Sequence, residues 1–353
     1  MSSIHLYNQE YVLQLTRVRE QETKVGQEIK TLADVANWEK DLAQLNCKFV
    51  LLGIPEDIGV RANYGRGGAH TAWKPALESF LNQQSNLFFD AQTCCVLGHI
   101  VVDDLMQKAD ELSAQNNNIN TITGLRKLVS ELDGRVTAII HKIVKLDKIP
   151  VVIGGGHNNS FPIIKGASEA LAQKIHAINC DPHSDFRALE GRHSGNGFSY
   201  AFEQGFLEKY AVFCMHEQYN TKTVLHDFFK QPQHLYYNTY EDVFVREKLT
   251  YTTALQQAIS FVNGHHCGVE IDMDAITNVP SSAKTSSGLS PIQARQYVYA
   301  CGQRLNTTYL HIAEGAPILS HIKADNKTGK LIAYLITDFI KGVLDKNESF
   351  IIN

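Results

Sequence analysis

Short apolar runs recur along this chain, and segments with helical spacing separate them. Lys48–Ile54, Pro150–Ile153, Ile175–Asn179, Tyr210–Cys214, His234–Tyr237, Cys267–Ile271 and Thr308–Ile312 read as strands, largely apolar and so covered on both faces. Leu125, Leu128, Val129, Leu132, Val136, Ile139, Ile140 and Ile143 instead follow helical spacing through a charged segment. Further helices are expected near 161–172, 221–230, 251–263, 290–304 and 328–344. Such alternation gives a mostly parallel central sheet between two helix layers, a single three-layer α/β/α domain. Residues 1–45 are polar and helix-prone. Leu32, Val35, Ala36, Leu42 and Leu45 leave them a narrow apolar face, so they read as a helical lead-in packed on a main domain over 46–353. The Asn-rich stretch 114–123 reads as a loop. No linker rich in Pro and Ser divides the chain, and there is no internal repeat.

Of the 353 residues, 44% are hydrophobic and 20% charged, an ordinary globular balance. The net charge of −4 and the lack of a basic stripe argue against a nucleic-acid partner. The opening MSSIHLYNQEYVLQ has no basic-then-apolar signal, and no uncharged run reaches the roughly 18 apolar residues of a membrane span. Seven cysteines lie mostly in apolar runs without a CxxC, which reads as buried thiols in a reducing, cytoplasmic setting.

Three segments follow strand ends and carry chemistry. Val151-Val-Ile-Gly-Gly-Gly-His157 turns sharply on glycine and brings His157 to the sheet edge. Alone, such a histidine is more often a hydrogen-bonded structural residue. Asn179-Cys-Asp181-Pro-His183-Ser-Asp185 sets two carboxylates and an imidazole at period two, on one side of an extended chain. A polar turn capped by aspartate explains one of these groups, not three. Val269-Glu-Ile-Asp272-Met-Asp274 repeats the pattern with two carboxylates. Ionised carboxylates gathered without partners cost several kcal/mol each. Sites in parallel sheets form outside the carboxyl ends of strands, so the three segments can converge there around positive charge. Carboxylate and imidazole ligands without thiolate suit Mn²⁺ or a similar ion. The number of ligands favours two ions about 3.5–4 Å apart over one.

At these residues the chain resembles the ureohydrolase family of arginase, agmatinase and formimidoylglutamase, which carries GGxH, DxHxD and DxD segments in this order. The resemblance runs from about Val50 onward. Gly53-Ile-Pro through Gly65-Arg-Gly-Gly68 is similar to the family's first glycine-rich loop. It implies an arginase-like fold, two Mn²⁺ per chain and, commonly, a homo-oligomer. His157, Asp181, Asp185 and Asp272 would hold one ion; His183, Asp181, Asp272 and Asp274 the other. Asp185 would also carry a proton from the attacking water to the leaving nitrogen. Glu314, in Leu310-His-Ile-Ala-Glu314-Gly-Ala-Pro317, would receive the cationic guanidinium or amidinium. The chain departs from the pattern in three places. Asp274-Ala-Ile-Thr277-Asn278 lacks the usual Asp-Pro, Glu270 replaces a small serine, and Gly156 stands where Asp or Ser precedes the histidine.

The ligand set does not choose among substrates. Arg187, followed by Arg192, His193 and Ser194-Gly-Asn196, resembles formimidoylglutamase members more than arginases. A guanidinium holds a carboxylate bidentately, and N-formimidoyl-L-glutamate has two carboxylates and an amidinium. Agmatine gives an arginine no task, and arginine's α-ammonium would be repelled. Arg187, Ser194 and Asn196 are therefore expected to bind a small amidine or guanidino substrate, with Arg187 equally able to serve a structural ion pair. His193 is expected as a proton shuttle or a loop histidine. The expected reaction is hydrolysis of formimidoylglutamate to glutamate and formamide, a step of histidine degradation. An arginase, an agmatinase, another guanidino-acid hydrolase, or a non-catalytic regulatory member of the family are the alternatives.

Overall fold

Along the central strands of this computed structural model, alternate side chains enter two separate cores. It describes residues 3–32, 36–114, 119–320 and 326–348. Phe49, Leu51, Val151, Ile153, Val269, Ile271, Leu310 and Ile312 face one core. Val50, Leu52, Val152, Ala177, Tyr210 and Val212 face the other. A sheet apolar on both faces must be covered on both, and helices do so. Tyr251–Val262, Pro291–Arg304 and Lys327–Glu348 lie on the first face; Ile119–Lys145 and Ser160–Leu171 lie on the second. The helical stripe from Leu125 to Ile143 is buried throughout. Each such side chain contributes about 1.5–3 kcal/mol.

The strands are β1 (Ile4–Leu6), β2 (Lys30–Thr31), β3 (Phe49–Gly53), β4 (Cys94–Ile100), β5 (Ile149–Ile153), β6 (Ile175–Cys180), β7 (Leu207–Met215), β8 (Leu235–Thr239), β9 (His266–Asp272) and β10 (Asn306–Ala313). They form one sheet in the order β1-β4-β3-β5-β10-β9-β6-β7-β8, with β2 also on β4. Every pairing is parallel except β1 with β4. The expected mostly parallel α/β/α architecture is thus present. The strands β5, β10, β9 and β6 are neighbours, so their carboxyl ends open on one edge.

Three expectations need correction. The lead-in is only partly helical: Ile4–Leu6 and Lys30–Thr31 both pair with β4. Its polar sequence suits an edge strand exposed on one side, which apolar periodicity does not reveal. Of its expected apolar face, Val35 lies outside the described residues. Strand β4 itself was not expected, since Gly98 and His99 interrupt its apolar run. In the Asn-rich stretch, 115–118 lie outside the described residues, while 119–123 open the long helix. Thr121 and Ile122 are buried there, because tertiary packing overrides local polarity. All seven cysteines are free and buried. No helix among the described residues is long and apolar enough to cross a membrane.

Candidate metal centre

The site grows from the ends of the four neighbouring strands. After β5, Gly154 and Gly155 take φ of 86° and 74°, which glycine adopts without strain and which turns the chain into His157. The fully buried Glu56, in the first glycine-rich loop, holds this turn. It accepts the Gly156 N–H at 3.0 Å and the Asn159 side chain at 2.6 Å. After β6, Asp181 accepts the His183 N–H at 2.7 Å, and Asp185 adopts φ of 46°. After β9, Asp272 accepts the Asp274 N–H at 2.6 Å within a 3-10 turn. The expected groups therefore meet, though not by strand alternation. β6 ends at Cys180, and tight carboxylate-capped turns aim the side chains instead.

His157 Nδ1 lies 3.1 Å from Asp181, 2.9 Å from Asp185 and 3.4 Å from Asp272. The ligand atoms of these four buried residues all lie within 4.8 Å of one another. His183 Nδ1 approaches the other Asp181 oxygen at 3.4 Å. Asp274 lies beside them, lining the same cavity as His183, Asp185 and Asp272. The electrostatics call for positive charge. Burial pushes the Asp185 carboxyl up, with Asp181 adding to it; burial and Asp274 push Asp272 well up. Asp181 is held low, because His157 and His183 outweigh its burial. Burial would lower His183, yet Asp181 raises it to about 10.

Two buried atoms test whether a cation fits. Despite three carboxylate oxygens nearby, His157 Nδ1 makes no hydrogen bond, and neither does Asp274 Oδ1. Unpaired buried polar atoms are costly, and both are donors to a metal. The set is carboxylate and imidazole without thiolate, which fits a hard or borderline divalent ion such as Mn²⁺.

Glu314, at the end of β10 with φ of 64°, accepts the His157 N–H at 2.9 Å and the Ser282 hydroxyl at 3.3 Å. Burial and Asp274 push its carboxyl up to about 8. Glu314 lines a cavity of about 410 Å³ with His183, Asp185, Arg187, Ser194, Asp272 and Asp274. The other candidates lie differently. Asn196 donates to Gly191 O at 2.8 Å and accepts from Arg192 at 2.8 Å, so it is spent on its own loop. His193 is buried, with Nδ1 accepting the Gly195 N–H at 3.1 Å and Nε2 3.1 Å from Glu190. Burial, with Arg187 and Arg126 nearby, lowers it to about 4. Neither residue lines the cavity, and His193 caps the turn at Ser194–Asn196. Sequence reasoning passed over Glu56, Ser282 and Glu190. Glu56 stood in the glycine-rich loop already noted, whereas the other two carry no pattern.

The family model for the arginase family matches residues 47–341. The chain belongs to the arginase family. Its relatives include a formimidoylglutamase of Streptococcus pyogenes, 24% identical over 301 residues that cover 82% of this chain and 84% of that protein. Among solved structures, the Trypanosoma cruzi formiminoglutamase with Mn²⁺ matches with a TM-score of 0.68 at 20% identity, over 91% of this chain and 98% of that one. The Bacillus subtilis formimidoylglutamase matches with a TM-score of 0.72 at 16% identity, over 93% and 94%. At such identities the structures establish the shared arginase-like fold. The family's members are hydrolases of C–N amidine bonds, in line with the expected enzyme class.

Proposed function

We propose that this arginase-family chain is a binuclear manganese hydrolase that converts N-formimidoyl-L-glutamate and water to L-glutamate and formamide. One observation carries the reading. The cavity lined by Asp185, Asp272, Asp274 and Glu314 is also lined by Arg187 and Ser194. A ligand bearing an amidinium at one end and a carboxylate at the other matches that polarity.

His157, Asp181, Asp185 and Asp272 would hold one Mn²⁺, and His183, Asp181, Asp272 and Asp274 the second. When bound, the ions would supply an acidified water as the nucleophile for the amidine carbon. The protein does the rest. Glu314 receives the amidinium and orients its carbon. Arg187 and Ser194 hold a carboxylate at the other end. Asp185 takes the water's proton and delivers it to the glutamate nitrogen as the C–N bond breaks, leaving the oxygen on formamide. The cytoplasmic reading rests on the seven buried free thiols.

The test is a pair of measurements on Glu314→Gln. It should retain two Mn²⁺ by elemental analysis yet lose most turnover of formimidoylglutamate. Full activity in that variant removes Glu314 from the site, and absence of metal in manganese-loaded wild type sinks the reading.

A further inference from the structure

Strand β9 sends Gly268, Glu270 and Asp272 to one face. Asp272 belongs to the carboxylate cluster. Glu270 lies two residues deeper, fully buried, where the arginase-like pattern has a small serine. A buried carboxylate costs several kcal/mol unless donors surround it, and here they do. Tyr309 donates its hydroxyl to Glu270 Oε1 at 2.7 Å, and His311 Nδ1 meets Oε2 at 2.7 Å. His157 Nε2 meets the same Oε2 at 3.3 Å.

The β9–β10 register builds this arrangement. His311 sits opposite Glu270, and Tyr309 opposite Gly268. A side chain on Gly268 would run into the Tyr309 ring, so the glycine makes room for the tyrosine that reaches Glu270. The other nitrogen of His311 faces the Gly154 carbonyl at 3.3 Å, at the start of the glycine turn that ends in His157. Glu270, Tyr309 and His311 thus hold both the His157 ring and the loop that carries it. With a cation held among Asp181, Asp185 and Asp272, the Nδ1 lone pair is its ligand, and the ring proton belongs on Nε2, where Glu270, which only accepts, takes the hydrogen bond. Nδ1 then turns a bare lone pair toward Asp181, Asp185 and Asp272.

We propose that Glu270, braced by Tyr309 and His311, is a positioning residue that fixes the His157 ring with Nδ1 facing the carboxylate cluster and so sets the affinity of that half of the site for its metal ion. The inference rests on the metal reading of the site. Carboxylates behind a ligating histidine commonly govern metal affinity by about 10–100-fold.

The experiment titrates metal-free wild type, Glu270→Gln and Tyr309→Phe with MnCl₂. It reads bound manganese by elemental analysis, each ion's affinity, and the electron paramagnetic resonance spectrum of the metal pair. Wild type should bind two ions. Glu270→Gln should bind one of them about 10–100-fold more weakly, leave the other near its original affinity, and alter the spectrum. Tyr309→Phe keeps the carboxylate and should shift the same ion in the same direction by less. Two ions bound with unchanged affinities by a folded Glu270→Gln overturn the inference while leaving the metal reading intact. If Glu270→Gln does not fold, Tyr309→Phe decides: weakening of one ion supports the inference, and unchanged binding of both overturns it. A third equivalent in wild type that Glu270→Gln loses also overturns it, by making Glu270 a ligand. No manganese on wild type refutes the metal reading itself, and the inference with it.

Discussion

Arg187 and Glu190 face each other in the loop beyond Asp185: Nη2 of the guanidinium donates to Glu190 Oε1 at 3.0 Å. Nη1 donates to Asn63 at 2.7 Å, while Arg126 and His193 reach the same Glu190 oxygen at 3.3 and 3.1 Å. The protein therefore keeps a carboxylate of its own on the group proposed to receive the substrate's. With side chains 45% and 40% exposed, such a pair is worth about 0–1 kcal/mol. A ligand carboxylate can compete with it.

Substitution separates the two partners. A charge-assisted contact contributes about 1.5–3 kcal/mol, so Arg187→Ala should lower kcat/KM for formimidoylglutamate by about ten- to a hundredfold. Metal content should stay intact, and any agmatine turnover should suffer much less. Glu190→Gln removes the competing charge and should lower KM for formimidoylglutamate by up to about fivefold with kcat unchanged. Equal losses on all substrates for Arg187→Ala would remove it from carboxylate recognition.

Metal retention depends on position within the cluster. Asp181 and Asp272 would each help to hold both ions, so Asp181→Asn and Asp272→Asn should each lose both after gel filtration. His157→Asn should chiefly weaken one. Elemental analysis of the three variants checks this, and loss of a single ion from a folded Asp181→Asn would deny that residue a part in holding both.

The three chemistry-bearing segments were legible in the sequence because each ends an apolar strand. The order of their strands was not, since β10 inserts between β5 and β9 by long-range pairing that no local pattern encodes. The reason given for convergence also changed. Period-two alternation sets Glu270 and Asp272 on one face of β9, but of the expected pair Asp272 and Asp274 the second lies in the 3-10 turn after the strand. Alternation does not explain Asp181 through Asp185, where capped turns do the aiming. Glu270 was visible only as a departure, because its partners Tyr309 and His311 lie on another strand.

Away from the carboxylate cluster, Arg192 anchors the loop after Arg187. It donates to Asp133 at 2.9 Å and to Asn158 O at 2.7 Å, and its guanidinium lies 4.7 Å from the Phe161 ring centre and 4.9 Å from that of Tyr200. Both partners of this ion pair are buried. Arg192→Ala leaves Asp133 buried and unpaired, which should cost about 3–5 kcal/mol of unfolding free energy. Urea denaturation measures it, and a loss below about 1 kcal/mol would mean that Asp133 finds water or another partner.

His70 and Asp57 give stability a pH dependence. Their hydrogen bond, 2.6 Å, raises His70 above its ordinary value. Burial raises Asp57, but His70, Arg61 and the Gly68 N–H outweigh it and hold it low. The His70 contribution is therefore complete below its unfolded value of about 6.5 and fades as pH rises through the raised folded value. That of Asp57 is present above about 3.9 and fades as pH falls through its lowered one. Partial exposure of His70 keeps the effect under about 1 kcal/mol. In urea denaturation, wild type should exceed His70→Gln by more at pH about 5.5 than at about 8.5. The reverse order would contradict the assignment.

The measurement that bears most directly on the central claim is a side-by-side assay of manganese-loaded protein against formimidoylglutamate, arginine, agmatine and guanidinobutyrate. Formimidoylglutamate should give the highest kcat/KM, with glutamate and formamide as products, and activity should vanish on chelation and return with manganese. Preference for arginine or agmatine, or no turnover of formimidoylglutamate by protein carrying two manganese ions, would contradict the account.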